Sequence, residues 1–404
     1  MPQHFRPANP RGIDPVRRLC HDAAMSSPPV RDNIRRLDAY VPGEQPGYRQ
    51  TLGGGDFGPG IVKLNTNENP YPPSDSVLQA IRGLTPEALR LYPPADAAEF
   101  RAAAARLHGL QPDQVIATNG GDELLRLLIT VYCRPQPDAG GIGTTSPSYS
   151  LYPVLARIHD TPVTVVDRPA PDFRLPPDFA DRCRDAACAI AFLVNPHAPT
   201  GRLESLDTIR HLADRFPGLL VIDEAYVDFA PRSALPLLTQ DRRENVLLLR
   251  SLSKGYSLAG LRFGYGLSTP QVIANLDKAR DSYNTDILSQ AAATAALRDQ
   301  DHARSTWDRV VEQRRTLTAA LRGLGLDVPE SHSNFVLATL PRRGNASPAD
   351  DARRIYQQLK DRRILIRYFS SPPLEDKLRI TVGTPEQNQQ LLQHLAPLLS
   401  TKPV

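Results

Sequence analysis

Lysine is scarce in this sequence. Of 48 basic residues only Lys63, Lys254, Lys278, Lys360, Lys377 and Lys402 are lysine; arginine supplies the rest. A guanidinium does not shed its proton to attack a carbonyl, whereas an amine does. Any Schiff-base lysine must therefore come from a short list. Long apolar runs are missing too: none reaches eighteen residues, which excludes a membrane-spanning helix. The N-terminal stretch "MPQHFRPANPRGIDPVRRLCHDAAMSSPPVRDN" has no apolar segment of the kind a secretory signal needs. The four cysteines (Cys20, Cys133, Cys183, Cys188) show neither metal-site nor redox spacing, and read as reduced thiols of a cytosolic protein that binds no metal. A net charge of +4 over 404 residues gives no electrostatic reason to expect a nucleic-acid partner. No internal repeat interrupts the chain.

What remains is an ordinary soluble composition, 41% hydrophobic and 23% charged, in a chain long enough for two domains. Residues 1–29 form a proline- and arginine-rich arm that reads as disordered. The cluster "GGGDFGPG" matches GxGxxG at Gly53, Gly55 and Gly58, but no apolar strand precedes it and no helical pattern follows. It reads as a loop, not a dinucleotide site.

From Lys63 onward the text becomes regular. Helical periodicity marks "SVLQAI", "ADAAEFRAAAARLHGL", "LLRLLITVY" and "SLDTIRHLADRF". The apolar, β-branched runs "QVIAT", "TPVTVV", "CAIAFLVN", "LLVIDEAY" and "NVLLLRS" have strand length. This alternation predicts an α/β fold, a mostly parallel sheet covered by helices on both faces. Beyond about residue 295 a long helix, "ARSTWDRVVEQRRTLTAALRGL", leads into strands "NFVLATL", "ILIRYF" and "LRITVG" with helices between. The expected organisation is a segment at 30–62, a large domain at 63–295 and a smaller α+β domain at 296–404.

Ligands of such sheets sit outside the carboxyl ends of the strands. There the sequence places Asn119-Gly120-Gly121-Asp122-Glu123 opening a helix, Asn195-Pro196-His197-Ala198-Pro199-Thr200-Gly201, Asp223-Glu224-Ala225-Tyr226, and Ser251-Leu252-Ser253-Lys254. Taken singly, each has a plainer reading: the acid pair as a solvated strand end or metal pair, the proline segment as a tight turn, Arg262 as a surface ion-pair residue, Tyr149 as core packing. Together they describe a site for a phosphorylated, cationic aromatic ring. Gly120 and Gly121 offer backbone N–H groups to a phosphate, and Ser251, Ser253 and Arg262 add donors. Asp223 would keep a pyridine nitrogen protonated, making the ring an electron sink. Tyr226 would hydrogen-bond the ring's phenolic oxygen, and Lys254 would form an imine with its aldehyde.

In this combination the chain resembles the fold-type I pyridoxal-phosphate aminotransferases, and most closely the histidinol-phosphate aminotransferase family. Over roughly residues 30–395 the markers run in order. They are "AYVPG", "KLNTNENPYPPS", "LYP", "NGGDELL", "SPSYSLY", "APTG", "DEAYVDF", "SLSKGYSLAGLRFGY", "SNFVL", "ILIR" and "LRITVGT". The resemblance implies a cytoplasmic homodimer with active sites at the subunit interface. Its activity would pass an amino group between L-histidinol phosphate and 2-oxoglutarate in histidine biosynthesis, with pyridoxal 5'-phosphate as cofactor. Aromatic amino-acid transamination and threonine-phosphate decarboxylation use related scaffolds; a non-catalytic descendant would have no need of the Lys254–Asp223–Tyr226 set.

Residue by residue, the resemblance implies that Gly121, Asp122, Ser251, Ser253 and Arg262 hold the cofactor phosphate. Tyr92 would reach that phosphate from the neighbouring subunit, and Tyr149 would stack on the ring. Tyr40, Asn67, Arg367 and Arg379 would face substrate, Arg379 taking a carboxylate or phosphate, as arginine does well. One departure matters: the family's second asparagine before Pro-Thr-Gly, a donor to the ring's phenolic oxygen, is Ala198 here. Tyr226 then carries that oxygen alone, or with Asn195 or a water.

Overall fold

The computed structural model describes residues 28–38, 40, 60–135, 140–342 and 347–400. The basic arm up to residue 27, the glycine cluster up to residue 59 and all of "AYVPG" except Tyr40 lie outside them. Twelve strands are present among these residues. The large sheet is built from β2 (Val115–Thr118), β3 (Ile142–Ser146), β4 (Val163–Asp167), β5 (Ile190–Val194), β6 (Leu219–Asp223), β7 (Val246–Ser251) and β8 (Gly264–Leu267), in the order β2-β8-β7-β6-β5-β3-β4. All pairings are parallel except those of β8, which is antiparallel to both its neighbours. The carboxyl ends of β2, β5, β6 and β7 consequently share one edge.

The α/β architecture expected from the alternating pattern is the one observed. In β6, "LLVID", every residue is buried. Successive residues feed opposite cores: Leu220 and Ile222 face one hydrophobic cluster, Leu219 and Val221 the other. That is the two-fold alternation of a strand covered on both sides.

A second unit packs beside it. A three-stranded antiparallel sheet, β11-β12-β9, is made of β9 (Phe335–Thr339), β11 (Arg367–Tyr368) and β12 (Lys377–Thr381). β1 (Val62–Lys63) pairs in parallel with β10 (Ile364–Leu365), so the chain entering the large sheet is first stitched to this smaller unit. The helix Gln300–Gly323 runs along both units, and its Trp307 packs against the core of each.

Two differences from the sequence reading have physical reasons. The run "ILIRYF" is two strands in two sheets, because β10 pairs with β1 whereas β11 pairs with β12. Strands β3 ("IGTTS") and β8 ("GYGL") lack the run of large apolar residues that marks a buried strand, and owe their place to pairing on both sides.

Candidate active site

Lys254 follows the end of β7 by three residues, and its Nζ donates to the backbone carbonyl of Thr66 at 2.9 Å. Burial pushes the amine down to about 8, aided by Arg379, Lys63 and Arg262 and opposed by Glu68. Near neutral pH it is poised to exchange a proton. Thr66 is held in turn from behind: its hydroxyl and the Glu68 carboxylate both contact Lys63 Nζ. Neither Thr66 nor Glu68 was singled out in the sequence, though both lie within "KLNTNENPYPPS".

Asp223, the last residue of the neighbouring strand β6, is buried without a basic partner. Oδ2 accepts from the Tyr152 hydroxyl at 2.6 Å and Oδ1 from the Ala225 N–H at 3.1 Å. Burial pushes the carboxyl up to about 6 against the lowering effect of both bonds. A buried acid supported only by neutral donors suits a cationic ligand atom, since an adjacent positive charge would return it to the ionised form. Tyr152 was likewise missed. It lies three residues after Tyr149, stacked on Phe192 with ring centroids 4.6 Å apart.

The anion cradle forms where β2 runs into the helix Gly120–Tyr132. The Asn119 side chain does not cap this helix, and Glu123 takes only the Asn119 N–H, so the N–H groups of the first turn are left for a ligand. Gly120 has φ +76°, and a β-carbon there would lie 2.8 Å from Arg262 Nη2. A β-carbon on Gly264 would meet the backbone of Gly120 and Gly121 at 2.7 Å. Glycine at both positions lets backbone, guanidinium and anion come close. Arg262 Nη1 also donates to Ser253 Oγ at 3.3 Å, and Ser251 Oγ accepts from the Ser253 N–H at 3.2 Å. The Asp122 carboxylate is an acceptor, taking bonds from Tyr149 Oη (3.1 Å) and Arg262 Nη2 (3.4 Å), and has no proton to offer an anion. Asp122 can therefore serve a phosphate only through its backbone N–H.

Above this floor the other expected residues converge. Tyr226 Oη accepts from Asn67 Nδ2 at 3.1 Å, and its ring stands perpendicular to Phe335. Asn334 Nδ2 donates to the Asn67 carbonyl at 2.8 Å, a contact the sequence did not disclose. Tyr149 sits edge-on to Tyr152 and to Tyr40. Arg367 and Arg379 face each other across β11 and β12. Arg379 Nη2 donates to the Asn65 carbonyl at 3.0 Å, while its Nε is buried with no partner. An orphaned guanidinium edge suits a carboxylate or phosphate. Asn195 accepts from the Glu204 N–H with Oδ1 at 2.8 Å, leaving Nδ2 as its donor end. Beside it, His197 is buried and neutral between Thr200 Oγ1 and the Pro147 carbonyl. Tyr92 alone stands apart, 80% exposed and stacked on Tyr283 at 4.5 Å.

The donor set thus fits a planar phosphorylated pyridine bearing an aldehyde. An uncapped helix start and Arg262 await the phosphate, Asp223 the ring nitrogen, Tyr226 and Asn195 an oxygen, and Lys254 a carbonyl carbon.

Comparison with known proteins agrees. The family described as aminotransferase class I and II matches residues 59–395. Histidinol-phosphate aminotransferase 1 of Nostoc sp. is 43% identical over 372 residues, covering 92% of this chain and 98% of the relative. The Geotalea uraniireducens histidinol-phosphate aminotransferase is 43% identical over 367 residues, covering 91% and 98%. Among solved structures, the Sinorhizobium meliloti histidinol-phosphate aminotransferase in complex with pyridoxal-5'-phosphate superposes with a TM-score of 0.80 at 27% identity. It covers 93% of this chain and 98% of that one.

Proposed function

Since this chain belongs to the class I and II aminotransferases, and within them to the histidinol-phosphate aminotransferase family, we propose that it transfers the amino group of L-histidinol phosphate to 2-oxoglutarate. The products are imidazole acetol phosphate and L-glutamate, a step of histidine biosynthesis. Its fold is fold-type I, and it is a pyridoxal-phosphate enzyme. The observation that carries the reading is the pairing of Lys254, its amine pushed down to about 8, with Asp223, a buried acid lacking a cation, at the ends of adjacent parallel strands.

When bound, pyridoxal 5'-phosphate supplies an electron sink for the electron pair left at the amino-bearing carbon. The chain's own residues set the conditions. Asp223 holds a proton on the ring nitrogen, and Tyr152 fixes the orientation of that carboxylate. Lys254 Nζ takes the proton from the substrate carbon and returns it, with the Thr66 carbonyl as its resting acceptor. Tyr226 and the Asn195 amide steady the ring's phenolic oxygen. Gly120, Gly121, the Asp122 N–H, Ser251, Ser253 and Arg262 hold the phosphate, and Tyr149 covers the ring face. Arg379, with Arg367, Asn67 and Tyr40 around it, takes the phosphate of one substrate and the carboxylate of the other. One anion site then serves both half-reactions.

The same reading includes a large cofactor domain at 63–295, a smaller domain at 296–404 and a cytoplasmic homodimer. Supporting the dimer, Leu89, Leu91 and Tyr92 are 60%, 57% and 80% exposed, a run of apolar surface that a second copy would cover. Tyr92 would there reach the partner's phosphate site.

The experiment is a half-reaction. Holoenzyme is mixed separately with L-histidinol phosphate, phenylalanine and O-phosphothreonine while the spectrum of the bound cofactor is followed. Conversion from the aldehyde to the amine form with histidinol phosphate alone is expected. Faster conversion with phenylalanine, or release of carbon dioxide from phosphothreonine, would replace the proposal.

A further inference from the structure

A cavity of about 1090 Å³ opens between the two units, away from the residues of the active site. One wall is the turn Val227–Phe229 with Arg250 of β7; the other is a face of the helix Gln300–Gly323 that carries Arg304, Arg314 and Arg315. Four arginines are buried among the described residues: Arg101, Arg168, Arg250 and Arg314. Three have a carboxylate in contact: Arg101 with Asp277 (2.6 Å), Arg168 with Glu204 (2.8 Å) and Arg250 with Glu224 (2.8 Å). Arg314 has none.

Its Nη1 donates to two backbone carbonyls, Phe229 at 3.1 Å and Ser333 at 2.6 Å, which leaves the rest of the guanidinium facing the cavity with no carboxylate in contact. Burial pulls Arg314 down to about 10, with Arg315 acting in the same direction. Glu330 opposes this from nearby, but it is 81% exposed and its own contact is with His332, at 3.7 Å. Of the two other acids lining the space, Asp228 is pushed up to about 7 by burial, so much of its opposing negative charge is absent near neutral pH. A buried cation without a counter-charge is costly, and one beside an open cavity can be relieved by a ligand.

We propose that this interdomain cavity is a second anion site, which binds a small dianion of phosphate or dicarboxylate chemistry with Arg314 as its anchor and Arg304 and Arg315 as its rim. The anchor is also a tie between the units. Phe229 lies three residues after Tyr226, and Ser333 precedes Asn334, which donates to Asn67. An anion held on Arg314 is thereby linked to both sides of the catalytic pocket.

The test is titration of the holoenzyme with inorganic pyrophosphate and, separately, with succinate, followed by calorimetry and by thermal shift, with sodium chloride matching ionic strength. Saturable binding by one of them is expected, and which one binds separates phosphate from carboxylate chemistry. The binding should persist in R379Q, weaken roughly tenfold or more in the R304Q/R315Q double variant, and vanish in R314Q. If R314Q does not fold, the rim variant decides. No binding beyond the chloride control overturns the proposal. So does binding lost in R379Q yet unchanged in the rim variant.

Discussion

Tyr152 Oη lies 2.6 Å from Asp223 Oδ2, with the phenol donating to the carboxylate from 71 residues away in the chain. Tyr152 is fully buried and cannot itself supply charge, since burial and Asp223 both hold its phenol protonated. It acts by orienting the acid and favouring its ionised form. Removing the hydroxyl in Tyr152→Phe deletes a charge-assisted bond of about 1.5–3 kcal/mol. Cofactor affinity should fall roughly tenfold or more, measured by equilibrium titration of the cofactor-free protein. An unchanged affinity would show that the bond does nothing for Asp223.

The same acid makes a prediction about stability. Folded, Asp223 titrates near 6; unfolded, near 3.8. Between those values the folded chain keeps a proton that the unfolded chain has released, so its stability falls as pH rises through this window. The difference amounts to about 3 kcal/mol. Asp223→Asn has no such group. In cofactor-free protein, urea unfolding at pH 4.5 and pH 7 should show the variant gaining on the parent at the higher pH. A constant difference between the two proteins would contradict the assignment.

Lys254 should ionise as an unusually acidic lysine. In cofactor-free protein its labelling by an amine-reactive sulfonate should reach half its maximal rate near pH 8, as peptide mapping would show. Borohydride reduction of the holoenzyme should leave the cofactor on the same peptide. Lys254→Ala should lower turnover by about 10²–10⁴, the usual worth of a positioned proton-transfer group. Reduced cofactor found on any other lysine ends this assignment.

Gly120→Ala tests the anion cradle. The substitution puts a side chain into left-handed backbone, at about 1–2 kcal/mol, and drives a methyl group into Arg262. We expect a cofactor dissociation constant raised roughly tenfold or more, since such costs reach a factor of ten. An affinity equal to the parent's would mean that Arg262 does not share the phosphate.

Ala198 stands where the family resemblance implies an asparagine. Ala198→Asn adds a donor that favours the deprotonated phenolic oxygen of the bound ring. The midpoint of the holoenzyme's spectral pH titration should therefore move down. If it stays where it was, Asn195 Nδ2 already fills that role.

How much of this was legible in advance follows the range over which each signal acts. Alternating helices and buried strands disclosed the parallel sheet, and with it the edge where ligands bind. Lys254, Asp223, Tyr226 and the Gly120–Gly121 helix start could then be assigned to one site from their positions at strand ends, because hydrophobic periodicity and turn chemistry are local. Strands β3 and β8, each with glycine where a large apolar residue would mark a strand, escaped notice for the opposite reason. A β-carbon on Gly143 would meet Cys183 Sγ at 2.3 Å, so the residue there answers to a neighbour across the packing rather than to strand propensity.

The sequence alone determined which strand ends carry an amine, an acid and an anion cradle. Tertiary structure decided what each of them touches. It brought Tyr152 to Asp223, carried the Thr66 carbonyl to an amine 188 residues away in the chain, and left Arg314, among the described residues, as the buried arginine with no carboxylate in contact. Such pairings depend on where whole elements come to rest against one another. The pattern within a strand or helix specifies which of its faces is buried, but not which polar atom of another element arrives there.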